Sequence, residues 1–126
     1  MNYATRQRTA VQKVLEDAQH PLTPTEILQE AHIISPGLGI ATVYRVLRIL
    51  TEMGAVHLVE IPGAPPHYER KQVLQHSYFL CKNCHKIYTV KGILPGIKQL
   101  IPPGFTMNQH TLALYGICAD PACTPR

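Results

Sequence analysis

The chain has no long run of apolar residues, and its first 80 residues contain no cysteine. No apolar stretch in its 126 residues approaches the length of a membrane-spanning helix, so the sequence predicts no membrane contact. The first six residues, MNYATR, lack the apolar segment of a secretory leader, and we expect a cytoplasmic protein. No internal repeat or low-complexity segment is present. At 126 residues and 45% hydrophobic, the chain is long enough for one compact domain or two small ones.

All four cysteines lie in the last third of the chain and form two pairs. Cys81 and Cys84 enclose two residues, and Cys118 and Cys123 enclose four. Two intervening residues let both sulfurs of a pair face one ion, with the following backbone N–H groups free to bond the thiolates. A second pair then completes a tetrahedron. The spacing therefore predicts a structural Zn²⁺ bound by four cysteines.

Two other uses of such cysteines need consideration. A Cys-x-x-Cys pair can be a redox dithiol in a thioredoxin-like βαβ unit, but segments 78–80 and 87–90 have the composition of two hairpin strands. Disulfides require an oxidising compartment, which the N-terminal sequence does not indicate. Structural zinc is therefore the preferred assignment.

The total charge does not identify a partner. The formal net charge is +4, but residues 1–71 carry seven Lys or Arg and seven Asp or Glu, so the excess lies in the second half. Four thiolates and one Zn²⁺ would subtract two charges there. Nucleic-acid binding must therefore be judged from the placement of particular side chains.

The first half has the element order of a winged helix. Apolar residues at helical spacing predict helices over 5–18 and 41–53. Between them, Thr23, Pro24 and Glu26 form the start signal of a short helix that runs through Ala31. Segments 56–61 and 67–69 flank a Pro/Gly-rich loop and are predicted to pair as a ribbon. We therefore expect a winged helix-turn-helix domain over residues 1–70.

The second half is predicted to form a separate, smaller domain. Residues 71–76 are polar and suit a hinge, and residues 77–126 are expected to fold as a small α/β dimerisation domain held together by zinc. Its predicted elements are the hairpin around the first cysteine pair, a helical piece at 96–100 and a long strand over 106–117. The predicted fold class is α+β, with strands able to extend a sheet across a homodimer.

The helix predicted at 41–53 is the candidate reader of an operator in double-stranded DNA. A helix fits the major groove, where Arg45 can bond guanine O6 and N7 and Tyr44 can pack on thymine. An ordinary solvated helix face is the alternative, but the position between a glycine-bearing turn and a ribbon favours DNA binding. Phosphate contacts are assigned to four further side chains: Thr42, Arg48, Arg8 and Lys13.

Several separate motifs, in the same order, resemble those of the ferric uptake regulator family of bacterial metal-responsive repressors. They are Thr5–Arg8, Gly39–Leu47, His-x-x-Phe-Leu-Cys-x-x-Cys from His76, and His-x-Leu-x-Leu-Tyr-Gly-x-Cys from His110. The resemblance extends over nearly the whole chain. It implies a homodimeric, metal-dependent transcriptional repressor of metal-homeostasis or related stress genes, with a structural zinc and a separate regulatory metal site.

The resemblance also implies which residues bind the regulatory metal: His20, Glu69, His76 and His110. Imidazole and carboxylate ligands suit Fe²⁺, Zn²⁺, Mn²⁺ or Ni²⁺. The chain departs from the family at Gln75, Ser77 and Tyr78, which stand where the family commonly has metal ligands. A constitutive DNA-binding repressor with a degenerate sensor site is therefore the alternative.

Two other classes of protein are alternatives to a repressor. An enzyme is disfavoured because four cysteines leave the zinc no open position for water, and because neither a nucleophile–base pair nor a glycine-rich phosphate loop is evident in the sequence. A zinc-ribbon module that binds protein without sensing metal is the other alternative. Binding to duplex DNA with and without metal separates these classes.

Overall fold

The computed structural model describes residues 3–71, 77–90, 96–108 and 110–123. The chain divides into two compact units, Met1–Lys71 and Gln72–Arg126, called here the N-terminal unit and the C-terminal unit. Residues 72–76 of the predicted hinge lie outside the described part of the chain. Helices and sheets together confirm the α+β class. No described helix has the length and apolarity needed to cross a membrane.

Three helices build the N-terminal unit: α1 (Tyr3–Asp17), α2 (Pro24–Ile34) and α3 (Ile40–Glu52). A capping box starts α2, as the sequence predicts: the Thr23 hydroxyl accepts from the Glu26 N–H at 3.2 Å, and the Glu26 carboxylate accepts from the Thr23 N–H at 2.9 Å. The helix continues past Ala31 to Ile34 and ends just before Ser35. Helical backbone is disfavoured for the residue before a proline, so Pro36 explains why α2 ends before Ser35.

The apolar faces of the three helices form one core, joined by the start of the first strand. Its buried members are Ala10, Val11, Val14, Leu15, Ile27, Ala31, Leu38, Val43, Val46, Leu47, Leu50 and Val56. In the turn before α3, the carbonyl of Leu38 accepts a hydrogen bond from His32 Nε2 at 2.5 Å. This bond and the buried Leu38 side chain fix where α3 begins relative to α2.

The wing is an antiparallel ribbon of β1 (Val56–Val59) and β2 (His67–Arg70). β1 is shorter than the predicted 56–61. Backbone hydrogen bonds of 2.9 and 2.7 Å join Leu22 to Tyr68, and Arg70 Nη1 donates to the Glu16 carbonyl at 3.2 Å. The wing is thereby anchored to the segments at the end of α1 and before α2.

The C-terminal unit is a three-stranded sheet in the order β4-β3-β5, with β3 (Ser77–Cys81), β4 (Ile87–Val90) and β5 (Leu112–Gly116). β3 and β4 form the predicted hairpin. β5 pairs in parallel with β3, so that Cys81 lies opposite Gly116. A 3₁₀ helix, Ile97–Leu100, corresponds to the helical piece predicted at 96–100.

The prediction of one long strand over 106–117 is wrong. Among the described residues of that segment, only Leu112–Gly116 is strand. Its partner β3 has five residues, all paired with β5, so the ladder cannot extend further along that strand. Alternating side chains alone do not show where a partner strand ends.

Gly116 is tightly constrained by the aromatic ring of Phe79 on β3. A Cβ atom at Gly116 would lie 2.9 Å from Phe79 Cζ. Gly116→Ala should therefore lower the free energy of unfolding by about 1–3 kcal/mol through overpacking, measured by denaturant titration. In a Phe79→Leu background the same substitution should cost clearly less. An equal cost in both backgrounds would contradict the steric explanation.

Candidate metal centre and nucleic-acid interface

The four cysteines lie where β3 ends and where the chain leaves β5. Cys81 is the last residue of β3, and Cys84 follows in the turn to β4. The His85 N–H closes that turn by donating to the Cys81 carbonyl at 2.9 Å. His85 takes a left-handed φ of 62°, a conformation that usually favours glycine. The Lys82 N–H donates to the Gly116 carbonyl at 2.7 Å, which holds the end of β5 beside this turn.

The sulfur positions fit one tetrahedral ion. Cys81 Sγ lies 3.6 Å from Cys123 Sγ, and Cys84 Sγ lies 3.8 Å from Cys118 Sγ. All four sulfurs lie within 4.8 Å of one another. Four sulfurs bound tetrahedrally at the zinc–thiolate distance are about 3.8 Å apart, whereas a disulfide requires about 2 Å. The chain thus has a site suited to structural Zn²⁺, as predicted.

Hydrogen bonds favour the thiolate form of two cysteines. The backbone N–H groups of Cys84 and Cys118 both donate to Cys81 Sγ at 3.4 Å. These bonds, that of Cys84 foremost, lower the pKa of Cys81 to about 5. The hydroxyl of Tyr88 donates to Cys118 and lowers the pKa of that thiol. Both sulfurs are therefore prepared for a cation.

The other two cysteines favour the neutral thiol until a metal binds. Burial raises the pKa of Cys84. The side-chain amide of Asn83 donates to Cys123 Sγ at 3.2 Å, which favours the thiolate, but burial and the neighbouring sulfurs raise the pKa of Cys123 to about 12. A zinc ion would displace these protons, because only thiolates ligate it.

The outer face of α3 carries the predicted base-reading side chains. Tyr44 is 54% exposed, and Arg45 and Arg48 are also exposed, while the opposite face of the helix lies in the core. Together with Leu58 and Tyr68 of the wing, these three side chains line one groove of about 570 Å³. A cationic and aromatic helix face beside a ribbon matches the requirements for entering a DNA groove.

The remaining candidate DNA contacts are more restricted. Thr42 is half-buried near the start of α3. Arg8 Nη2 lies 3.0 Å from the sulfur of Met53, a residue that is 61% exposed. Lys13 forms an exposed ion pair with Asp17 at 3.0 Å, and this hydrogen bond raises the pKa of Lys13. A phosphate must compete with Asp17 for the ammonium group.

The predicted sensing residues are distributed over both units. In the N-terminal unit, His20 is exposed, and Glu69 is buried on β2 with Oε1 2.8 Å from His57 Nε2 on β1. In the C-terminal unit His110 is half-buried, and His76 lies outside the described residues. Taking the described residues of each unit by itself, only the cysteines bring three or more ligand side chains within 4.8 Å.

Three side chains that contact predicted ligands were not identified from the sequence: Asn83, Tyr88 and His57. Asn83 reaches Cys123, a residue 40 positions away, so no local pattern marks this contact. Tyr88 was identified only as a strand residue, and its partner Cys118 follows a different strand. For the contact of His57 with Glu69 the sequence offers one signal. The predicted pairing of segments 56–61 and 67–69 places the strands of these two residues side by side.

The C-terminal unit exposes an apolar surface. Leu100 is 77% exposed and Phe105 70% exposed, and with Met107 and His110 they line a cavity of about 390 Å³. β5 lies at the edge of the sheet, and its Tyr115 is also exposed. Contiguous exposed apolar surface of this kind marks interaction sites in soluble proteins.

Comparison with known proteins gives consistent matches over nearly the whole chain. Residues 3–115 match the model of the ferric uptake regulator family. The chain is 35% identical over 121 residues to the ferric uptake regulation protein of Campylobacter jejuni, covering 92% of this chain and 77% of that protein. It is 30% identical to the peroxide operon regulator of Bacillus subtilis, covering 92% and 81% of the two chains. The iron-bound ferric uptake regulator of Francisella tularensis superposes with a TM-score of 0.74 at 26% identity, covering 94% and 91%.

Proposed function

The chain belongs to the ferric uptake regulator family, and we propose that it acts in the cytoplasm as a metal-dependent, DNA-binding transcriptional repressor of metal-homeostasis or related stress genes. The observation that carries this proposal is the exposed face of α3, where Tyr44, Arg45 and Arg48 share one groove with the wing. The names of its relatives, ferric uptake regulation protein and peroxide operon regulator, indicate iron or peroxide as the classes of signal to test first.

On DNA, α3 would enter the major groove and the wing would contact the adjacent backbone. Arg45 would donate to guanine O6 and N7, and Tyr44 would pack against a thymine methyl group. Thr42, Arg48 and Arg8 would bind phosphates. Lys13 would contribute less than an unpaired lysine, because Asp17 already neutralises part of its charge.

The zinc would act structurally and not as a catalyst. When bound, it supplies a fixed tetrahedral centre that joins the end of β3, the turn after it and the segment that follows β5. Cys81, Cys84, Cys118 and Cys123 would together fill its coordination shell, which leaves no position for a reactive water. Because the zinc would have no open coordination position, we propose that the chain is not an enzyme.

We expect the active form to be a homodimer. The exposed apolar side chains Leu100 and Phe105, together with the edge strand β5, offer a surface that a second copy can cover. Two copies related by a twofold axis would present two α3 helices to half-sites on one operator duplex. The supporting observation is the apolar character of this surface, since soluble monomers rarely expose such patches.

The regulatory metal would bind through His20, Glu69, His76 and His110. Of these, Glu69 already has a partner in His57, with Oε1 2.8 Å from Nε2. A metal must therefore replace or share that interaction. The alternative, a constitutive repressor, is favoured by Gln75, Ser77 and Tyr78, which stand where the family commonly has ligands.

Operator binding measured at controlled metal concentration tests the proposed function. A duplex is selected from a random library with the zinc-loaded protein and Mn²⁺, and its affinity is measured by fluorescence anisotropy with Mn²⁺, Fe²⁺, Zn²⁺, Ni²⁺ or none. We expect added metal to raise the affinity. His76→Ala combined with His110→Ala should abolish that increase and leave the zinc content, the dimer and the fold unchanged.

His85→Asn is the matched control, because it removes an exposed imidazole from the zinc turn while keeping a side chain that tolerates left-handed backbone. It should respond to metal as the wild type does. Operator affinity that is the same with and without every metal would establish the constitutive repressor instead. No selective binding to any duplex would reject DNA-binding regulation altogether.

A further inference from the structure

The zinc-binding sulfurs receive hydrogen bonds from side chains as well as from the backbone. Four thiolates and one Zn²⁺ carry a net charge of −2, which makes the sulfurs reactive toward electrophiles and oxidants. Hydrogen-bond donors disperse this charge and lower the nucleophilicity of each sulfur. Cys81 obtains its donors from the backbone N–H groups of Cys84 and Cys118. Cys123 depends on a side chain.

Asn83 supplies the donor for Cys123. It lies within the Cys81–Cys84 turn, and its Nδ2 is 3.2 Å from Cys123 Sγ, 40 positions along the chain. The Cys123 N–H is not available for this purpose, because it donates to the Asp120 carbonyl at 2.9 Å. The amide of Asn83 therefore links the first cysteine pair to the last ligand.

We propose that Asn83 is a positioning residue that holds the Cys123 thiolate on the zinc and protects it from oxidation. The inference rests on the proposed zinc occupancy of the four-cysteine site. The reaction resisted is the two-electron oxidation in which two thiolates, two protons and one H₂O₂ give one disulfide and two waters, and the zinc leaves.

Zinc release by H₂O₂ is the direct test, followed with a chromogenic zinc indicator on the full-length protein. Asn83→Ala removes the side-chain donor to Cys123, and it should release zinc about two- to tenfold faster than wild type, the range expected for one lost hydrogen bond. Asn83→Asp keeps the shape but puts a carboxylate beside Cys123, and should act more strongly than Asn83→Ala. Asn108→Ala makes the same change at an exposed asparagine of the C-terminal unit; it is the control and should match wild type.

A spectroscopic measurement distinguishes this role from general destabilisation. In the Co²⁺-substituted protein, loss of a donor raises the energy of the sulfur lone pairs, so the thiolate-to-metal charge-transfer band should shift to longer wavelength in Asn83→Ala. Unchanged release rates and an unchanged band, in variants that hold one metal per chain, would overturn the proposal. A wild-type protein without zinc would instead refute the zinc occupancy on which it rests.

Discussion

Cys81→Ser is expected to remove the zinc and unfold the C-terminal unit. Cys81 is the buried ligand at the end of β3, and its sulfur accepts hydrogen bonds from the turn and from the segment after β5. The unit contains few buried apolar side chains, namely Tyr78, Leu80 and Ile87 among the described residues. Because a structural zinc adds its binding free energy to folding, on the order of 10 kcal/mol in small zinc modules, its loss exceeds what such a core can compensate.

The measurement is zinc content by mass spectrometry of the native protein, combined with thermal unfolding followed by circular dichroism. The helical signal of the N-terminal unit should persist, because its core contains no cysteine. His85→Asn, in the same turn, should keep both zinc and stability. If Cys81→Ser retained one zinc per chain and its melting temperature, the zinc would not be structural.

Arg45→Ala is expected to weaken specific operator binding by about 1–3 kcal/mol and to relax the base preference at one position in each half-site. The exposed guanidinium projects from the face of α3 that lines the groove with the wing. A bidentate contact to guanine is the interaction it can lose. The measurement is the dissociation constant for the selected operator and for single-base variants, by fluorescence anisotropy at several salt concentrations.

Arg8→Ala should weaken binding to all sequences alike and lower the salt dependence, as expected for a phosphate contact. Lys13→Ala should have a smaller effect of the same kind, because Asp17 already pairs with the lysine. Lys82→Ala, a change in the zinc turn of the C-terminal unit, is the matched control for loss of one positive charge. If operator affinity and base preference survive Arg45→Ala, α3 does not read the operator.

Much of the fold could be predicted because its signals are local. The helical period of α3, the capping box of α2 and the Pro/Gly loop of the wing each act over a few residues, and the structure has these elements near the predicted positions. The cysteine spacing likewise predicts the metal chemistry, because ligand type and turn geometry are both encoded locally.

What sequence reasoning missed depends on contacts between distant segments. The end of β5 is determined by the length of β3, and the donors Asn83 and Tyr88 meet their sulfurs only after the strands pair. The pairing of Glu69 with His57 similarly depends on the register of the wing. Side-chain partners of this kind become predictable only once the strand register is known.

The parallel pairing of β3 with β5 has a consequence for how the protein is made. β3 ends at residue 81 and its partner begins at residue 112, so the sheet joins segments far apart in the chain and closes slowly compared with the local helices. Cys123 leaves the ribosome about fifty residues after the N-terminal unit, which at ordinary synthesis rates is roughly 3 to 10 s later. The winged helix can therefore fold while the metal site is still incomplete, and zinc capture is a late step in the biosynthesis of the protein.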